Sequence, residues 1–178
     1  MNPQIIKSEK KIKLEIGSGK GRFITMLAKH DPESLYVALE KDINVAYRLL
    51  QKQEELMLEN LIIISYDALY LEHFFEPKSI DTIYLNFSDP WPKSRHHKRR
   101  LTHETFNKIY KNILKKDGVI ELRTDHEDFF NDSIDYFRLA GFKVYDIMYE
   151  SDEIFNMSEY EIKKRDLGPI YSFKVVGL

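Results

Sequence analysis

Short apolar runs alternate along this chain with stretches whose apolar residues recur every three or four positions. The first pattern suits strands buried on both faces, the second helices with one buried side. Ile12 to Ile16 reads as a strand. Phe23, Ile24, Met26 and Leu27 give helical spacing up to His30, where Asp31-Pro32 stops it. Leu35 to Glu40 reads as a second strand, apolar until its last residue. Asn44 to Leu58 is predicted helical, with Val45, Leu49 and Leu56 on one side. Leu61 to Tyr66 and Ile80 to Ser88 are further strands. Thr102 is the expected N-cap of a helix from His103 to about Lys115, with Phe106, Ile109, Tyr110, Ile113 and Leu114 inward. Asp117-Gly118 is expected to turn into a strand from Val119 to Thr124. His126 to Leu139 reads as a helix closed by Ala140-Gly141. Phe142 to Tyr149 and Ile170 to Val176 are the last strands. They flank a polar insert, Glu150 to Pro169, with a short helix at Ser158 to Lys164.

Strands alternating with helices predict an α/β fold with a mostly parallel sheet, and the insert before the final strand points to an antiparallel end. A length of 178 residues suits a single domain over 1–178. In such sheets ligands bind outside the carboxyl ends of the strands. Gly17, Glu40, Asp67, Asp89 and Asp125 all fall at predicted strand ends or just beyond them. Five loops therefore converge on one rim, and four of those positions are acidic.

Composition narrows the class. No window of about 18 residues is continuously apolar, which argues against a transmembrane helix and a membrane role. Met1 to Lys13 is polar, without the apolar stretch of a signal peptide. Cysteine is absent, which removes disulfides and thiolate chemistry and fits a cytoplasmic protein. The formal net charge is -2, but its distribution is uneven. Residues 93–100 hold five of the 27 Lys/Arg and none of the 29 Asp/Glu, so the remainder is acidic, 22 against 29. An acidic body with one basic loop points to a local polyanion contact. That loop continues the strand Leu85-Asn86-Phe87-Ser88. It carries Asp89, expected to be a buried acid, then the stiff Pro90-Trp91-Pro92, then the basic run. Acid, flat aromatic and polycation together suggest chemistry on a nucleic-acid base. His96, His97 and His103 show no acid–His spacing that would make a metal site.

The glycine loop identifies a ligand class. Glycines stand at 17, 19 and 21, and position 22 is Arg, so the dinucleotide fingerprint is not met. The P-loop also fails, because Gly21 follows Lys20 and Leu14 occupies the place of the first glycine. Glu15, two residues ahead of Gly17, is unwelcome beside a pyrophosphate. Glu15-Ile16-Gly17-Ser18-Gly19-Lys20-Gly21 instead resembles the E-x-G-x-G-x-G motif of class I S-adenosylmethionine-dependent methyltransferases. That cofactor carries a sulfonium and an ammonium, so nearby acids are favourable. Glu40, 23 residues after Gly17, stands where a carboxylate can accept both ribose hydroxyls. Asp67-Ala68 ends the third strand, where a carboxylate meets the adenine amino group.

Asp89-Pro90-Trp91-Pro92 follows the fourth strand, where such enzymes bring substrate to the methyl group. Amino-methylating relatives carry [D/N/S]-P-P-[Y/F/W] there, and the aromatic between the prolines departs from that pattern in favour of a ring nitrogen. Trp91 either stacks on substrate or packs under the loop. With Glu15 to Phe23, Leu85 to Thr102, Arg123-Thr124-Asp125 and Ser158-Glu159-Tyr160-Glu161 in this order, nearly the whole chain resembles the bacterial tRNA (guanine-N7-)-methyltransferase family. The resemblance implies a Rossmann-like class I methyltransferase fold, with seven strands and helices on both faces. It implies methylation of a guanine in tRNA, expected in the variable loop, by a monomer or homodimer. It assigns cofactor contacts to Glu15, Gly17, Gly19, Gly21, Glu40, Asp67, Ala68 and Asp89, with Asp89 catalytic. It assigns substrate contacts to Lys93, Asp125, Ser158, Glu159, Tyr160 and Glu161, and RNA contacts to Arg95, His96, His97, Lys98, Arg99 and Arg100. Three departures stand out. Ser158 replaces the usual Thr, Lys163-Lys164-Arg165 follows where an aromatic is common, and the family often has a longer arm before the first strand. Two other readings compete: an amino-methyltransferase, and a non-catalytic RNA-binding module.

Overall fold

In the computed structural model, which describes residues 4–151 and 156–177, seven strands form one sheet in the order β3-β2-β1-β4-β5-β7-β6. The strands are β1 (Ile12–Ile16), β2 (Leu35–Leu39), β3 (Leu61–Ile64), β4 (Ile80–Asn86), β5 (Leu114–Thr124), β6 (Phe142–Met148) and β7 (Tyr171–Gly177). The first five pair in parallel, and β7 runs antiparallel to both β5 and β6. The predicted antiparallel last strand is thus present, inserted between its two predecessors.

The helices are α1 (Arg22–His30), α2 (Ile43–Glu55), α3 (Glu104–Ile113), α4 (Glu127–Leu139) and α5 (Glu159–Lys164). β2 shows how both faces of the sheet are covered. Its alternate residues Tyr36 and Ala38 pack with Ile24 and Ala28 of α1 and Leu49 of α2. Val37 and Leu39 belong to the larger cluster, with Phe106, Ile109 and Tyr110 of α3 and Phe129, Phe130 and Phe137 of α4. Strand side chains alternate between faces, so a run that is apolar throughout demands helices on both sides.

Several boundaries differ from the sequence reading. The cap of α3 is His103, which accepts from the Thr105 amide, and not Thr102. Thr102 is fully buried, and its hydroxyl accepts from Ser133 Oγ at 2.9 Å. α3 stops at Ile113 because Leu114 pairs with Ile80 and already belongs to β5. The Asp117-Gly118 turn becomes an irregularity inside that strand, between the Ile80 and Thr82 pairings. In α2 the inward residues are Ala46 and Leu49, whereas Leu56 lies past the helix end and is exposed. Two 3₁₀ helices, Ala68–His73 and Ser94–Arg99, were not expected. The cap of α5 is Ser158, which accepts from the Glu161 amide, in line with the predicted short helix. No described helix is long and apolar enough to cross a membrane.

Candidate active site

The sheet order lines up five loops along the carboxyl rim: Asp67 after β3, Glu40 after β2, the glycines after β1, Asp89 after β4 and Asp125 after β5. The chain changes direction between β1 and β4, which is where a ligand crevice opens in such sheets.

The glycine loop is folded back onto β2. Gly17 and Ser18 donate their amides to the Leu39 carbonyl at 2.8 and 3.1 Å. Gly17 has φ +79, and the space its Cβ would occupy is open. Gly21 caps α1 in the left-handed region, and a Cβ there would lie 1.8 Å from Leu49 Cδ1. One glycine leaves room above the loop, and the other allows α1 and α2 to close beneath it.

Glu40 braces this loop. Its Oε2 accepts from the Gly19 amide at 2.9 Å and its Oε1 from the Asp42 amide at 3.0 Å. Each oxygen keeps a second lone pair for a hydroxyl donor. Asp67 caps the first 3₁₀ helix by accepting from the Leu69 amide at 3.0 Å, and it pairs with Lys41 at 2.6 Å. Partial burial works against its charge. The Leu69 amide and the Lys41 ammonium prevail and hold its carboxyl below the usual value. Ala68 beside it is buried.

Glu15 is 2 % exposed at the end of β1. Its Oε1 accepts from Asn86 Nδ2 at 3.0 Å, while its buried Oε2 has no partner. Burial is the main cause that pushes this carboxyl up to about 8, and Glu40 adds to the rise. Beside the open glycine approach, the orphaned Glu15 oxygen and two further acids line the rim with carboxyl groups, and a cation at Glu15 would draw off its proton. That set fits a cationic, hydroxyl-bearing ligand such as S-adenosylmethionine and disfavours a phosphate.

Asp89 lies on the loop after β4. The reading of it as a buried acid is corrected: the side chain is exposed. Phe87 at φ 51 breaks the strand, its amide held by the Arg123 carbonyl at 2.8 Å, and the chain swings outward. Trp91 is also left-handed, with φ 39. Its ring carries the Arg99 guanidinium at 4.9 Å and meets His96 edge-on at 5.9 Å. Trp91 therefore packs within the loop, against the basic segment.

The basic run divides. Lys93, Arg95, Lys98 and Arg99 are exposed, and His96 and His97 are half-buried, His97 Nδ1 sharing a hydrogen bond with Tyr136 Oη at 3.0 Å. Arg100 is 1 % exposed. Its Nε donates to the Pro90 carbonyl at 2.7 Å, and its Nη1 pairs with Asp132 of α4 at 2.6 Å. Its guanidinium also stands 5.5 Å from the Phe129 ring centroid. Arg100 faces inward and does not present itself to a phosphate, which corrects its place among the RNA contacts.

The late segment comes to the end of β5. Tyr160 Oη donates to Asp125 Oδ2 at 3.1 Å, and the Tyr160 ring lies 5.2 Å from that of Phe87. Glu159 pairs with Lys52 of α2 at 3.1 Å. Glu161, 1 % exposed, is held by Arg123 at 3.3 Å and Arg165 at 2.7 Å. It anchors α5 to β5 from within, so of the four expected contacts Glu161 is turned away from a substrate. Asn86, Arg123, Asp132 and Lys164 received no role from sequence. Asn86 and Arg123 lie in strings that match the family and Lys164 in one that departs from it, whereas Asp132 carried no signal. Among the described residues, no group of His, Asp and Glu is placed to hold a metal ion.

Comparison with known proteins places this rim in context. A family model described as "Putative methyltransferase" matches residues 9–171. A tRNA (guanine-N(7)-)-methyltransferase of Macrococcus caseolyticus is 45% identical over 161 residues, covering 88% of this chain and 77% of that protein. One of Staphylococcus epidermidis is 45% identical over 167 residues, covering 90% and 76%. Among solved structures, a SAM-dependent methyltransferase from Aquifex aeolicus superposes with a TM-score of 0.63 at 15% identity, over 94% of this chain and 82% of that one, a likeness of fold.

Proposed function

The chain belongs to the tRNA (guanine-N(7)-)-methyltransferase family, and we propose how its rim residues divide the transfer of a methyl group from S-adenosylmethionine to N7 of a guanine in tRNA. The single observation that carries this reading is the pairing of high identity over most of the chain with five rim loops in cofactor-then-substrate order.

S-adenosylmethionine supplies, when bound, an electrophilic methyl group on a sulfonium sulfur. Gly17 and Gly19 let the backbone approach the cofactor, Gly21 lets α1 close on α2 beneath the loop, and Glu15 faces the cofactor's cationic end with the free Oε2. Glu40 takes the ribose hydroxyls on the lone pairs left by Gly19 and Asp42. Asp67, with Ala68, takes the adenine amino group. Guanine N7 is a lone-pair nucleophile with no proton to lose, so no general base is needed. Alignment and electrostatics remain. Asp89, between the cofactor loop and Asp125, aligns the two reactants and offsets the positive charge that develops on the purine. Asp125 accepts from the guanine N1–H and amino group, flanked by Tyr160 and the Ser158-capped helix. Lys93, Arg95, Lys98 and Arg99 meet phosphates, with His96 and His97 beside them. The reading is of one catalytic domain working on tRNA in the cytoplasm, on a guanine of the variable loop.

The test is incubation of unmodified tRNA with methyl-labelled cofactor, followed by mass spectrometry of the nucleosides. Labelled 7-methylguanosine is the expected product, and its fixed charge makes the RNA labile at that nucleotide. Label on an exocyclic amine, or none, would overturn the reading.

A further inference from the structure

Asp125 has two neighbours from α5, and both meet the same oxygen. Oδ2 accepts from Tyr160 Oη at 3.1 Å and lies 3.3 Å from Lys164 Nζ. The Lys164 ammonium stands 5.2 Å from the Tyr160 ring centroid, and that ring packs on Phe87. The Asp125 and Lys164 side chains are 27% and 34% exposed. A cationic donor and an anionic acceptor thus stand side by side, open to solvent, next to two aromatic rings.

We propose that Lys164 determines base specificity by donating to guanine O6 while Asp125 accepts from N1–H and the 2-amino group; this rests on the guanine reading above. On the Watson–Crick edge of guanine the O6 acceptor is adjacent to those two donors. A donor beside an acceptor is its complement. Adenine reverses the first two groups, an amino donor and then a ring acceptor, so both contacts would be repulsive. N7 lies on the other side of O6, so a base held by this edge keeps N7 free for the methyl group. The Phe87 and Tyr160 rings offer stacking surface to a base drawn out of its own stack. Binding exchanges the Tyr160 hydroxyl on Asp125 for the base, and Lys164 stays at its side. Lys93, on another loop, is left to the phosphates.

Ratios of kcat/KM on altered bases test the assignment. The methylated guanosine is located in tRNA by mass spectrometry, then replaced by splint ligation with 2-aminopurine, which lacks O6 and the N1 proton, or with inosine, which lacks only the 2-amino group. In the wild type both replacements are penalised. Lys164→Met should shrink the guanine to 2-aminopurine ratio by about 10- to 100-fold, the range of a hydrogen bond to a charged group. It should leave the guanine to inosine ratio unchanged, and Lys164→Arg should restore the first ratio in part. If both ratios move together, or neither moves, Lys164 only orders Tyr160 and the proposal fails. A wild type that makes no 7-methylguanosine on unmodified tRNA would instead overturn the guanine reading. Thermal unfolding of Lys164→Met confirms that the comparison is between folded proteins.

Discussion

Arg100 donates from Nε to the Pro90 carbonyl at 2.7 Å, so the last cation of the basic run clamps the loop that begins with Asp89. The same guanidinium reaches Asp132 of α4. Replacing Arg100 by Met keeps the length of the side chain and removes both contacts. The expected result is a stability loss of about 1–3 kcal/mol by urea unfolding and a lower kcat, since Asp89 loses its fixed position. The salt dependence of RNA binding should not change. A reduced salt slope in Arg100→Met would show that Arg100 does meet phosphate.

Four exposed cations, Lys93, Arg95, Lys98 and Arg99, remain for phosphates. Releasing their counterions gives a slope of log affinity against log salt of about -2.8 to -3.6. Affinity should then fall roughly 50- to 150-fold between about 50 and 200 mM salt. Arg99→Met should lower the slope by about one unit. It also removes the cation over Trp91. Fluorescence titration of tRNA at several salt concentrations measures the slope, and a flat profile would exclude the basic run as the RNA contact.

Arg99 and Arg100 are neighbours in one charge run, yet the first is exposed and the second buried. A charge run shows where cations cluster. It does not show which one turns inward, because that depends on Asp132 and Phe129 about thirty positions away. Asp89 is exposed for a similar reason: the strand before it is buried, but the left-handed Phe87 redirects the chain. The choice between Thr102 and His103 as helix cap turned on Ser133, also distant. The rim, by contrast, was legible. Each of its positions follows an apolar run, and strand ends in a parallel sheet share one edge regardless of what packs where. The glycine loop was legible because its spacing is a local requirement of backbone geometry.

Gly17 and Gly21 share a left-handed φ but should fail differently. Ala at 21 must displace Leu49 from its packing between α1 and α2 as well as adopt φ +77. A loss of about 2–4 kcal/mol in stability is expected, with cofactor affinity affected only as the fold loosens. Ala at 17 meets no neighbour, so only the backbone cost of about 1–2 kcal/mol applies. Its methyl group projects into the space assigned to the cofactor, and calorimetric titration should show affinity falling by at least tenfold. Unaltered cofactor binding by Gly17→Ala would move the cofactor away from this loop.

Glu15 should couple both stability and cofactor binding to pH. Its carboxyl, with burial as the main cause, is raised from the ordinary 4.5 to about 8. Between those values the folded state holds a proton that the unfolded state has released. Stability from this group is therefore fully present below about 4.5 and is lost as pH rises through about 8. The slope inside the window approaches ~1.4 kcal/mol per pH unit. The groups facing Glu15 are Asn86 from β4, Ser18 of the glycine loop, Glu40 from the end of β2 and the phenol of Tyr84. Glu15→Gln cannot ionise, so urea unfolding should show the wild type losing ground to this variant between about pH 5.5 and pH 8. A cation placed against Oε2 reverses the preference and favours the carboxylate. Binding of S-adenosylmethionine at about pH 7 should thus release close to one proton from the wild type and none from Glu15→Gln. Titration calorimetry in buffers of different ionisation enthalpy counts that proton. Equal proton release by the two proteins would show that Glu15 does not face the cationic end of the cofactor.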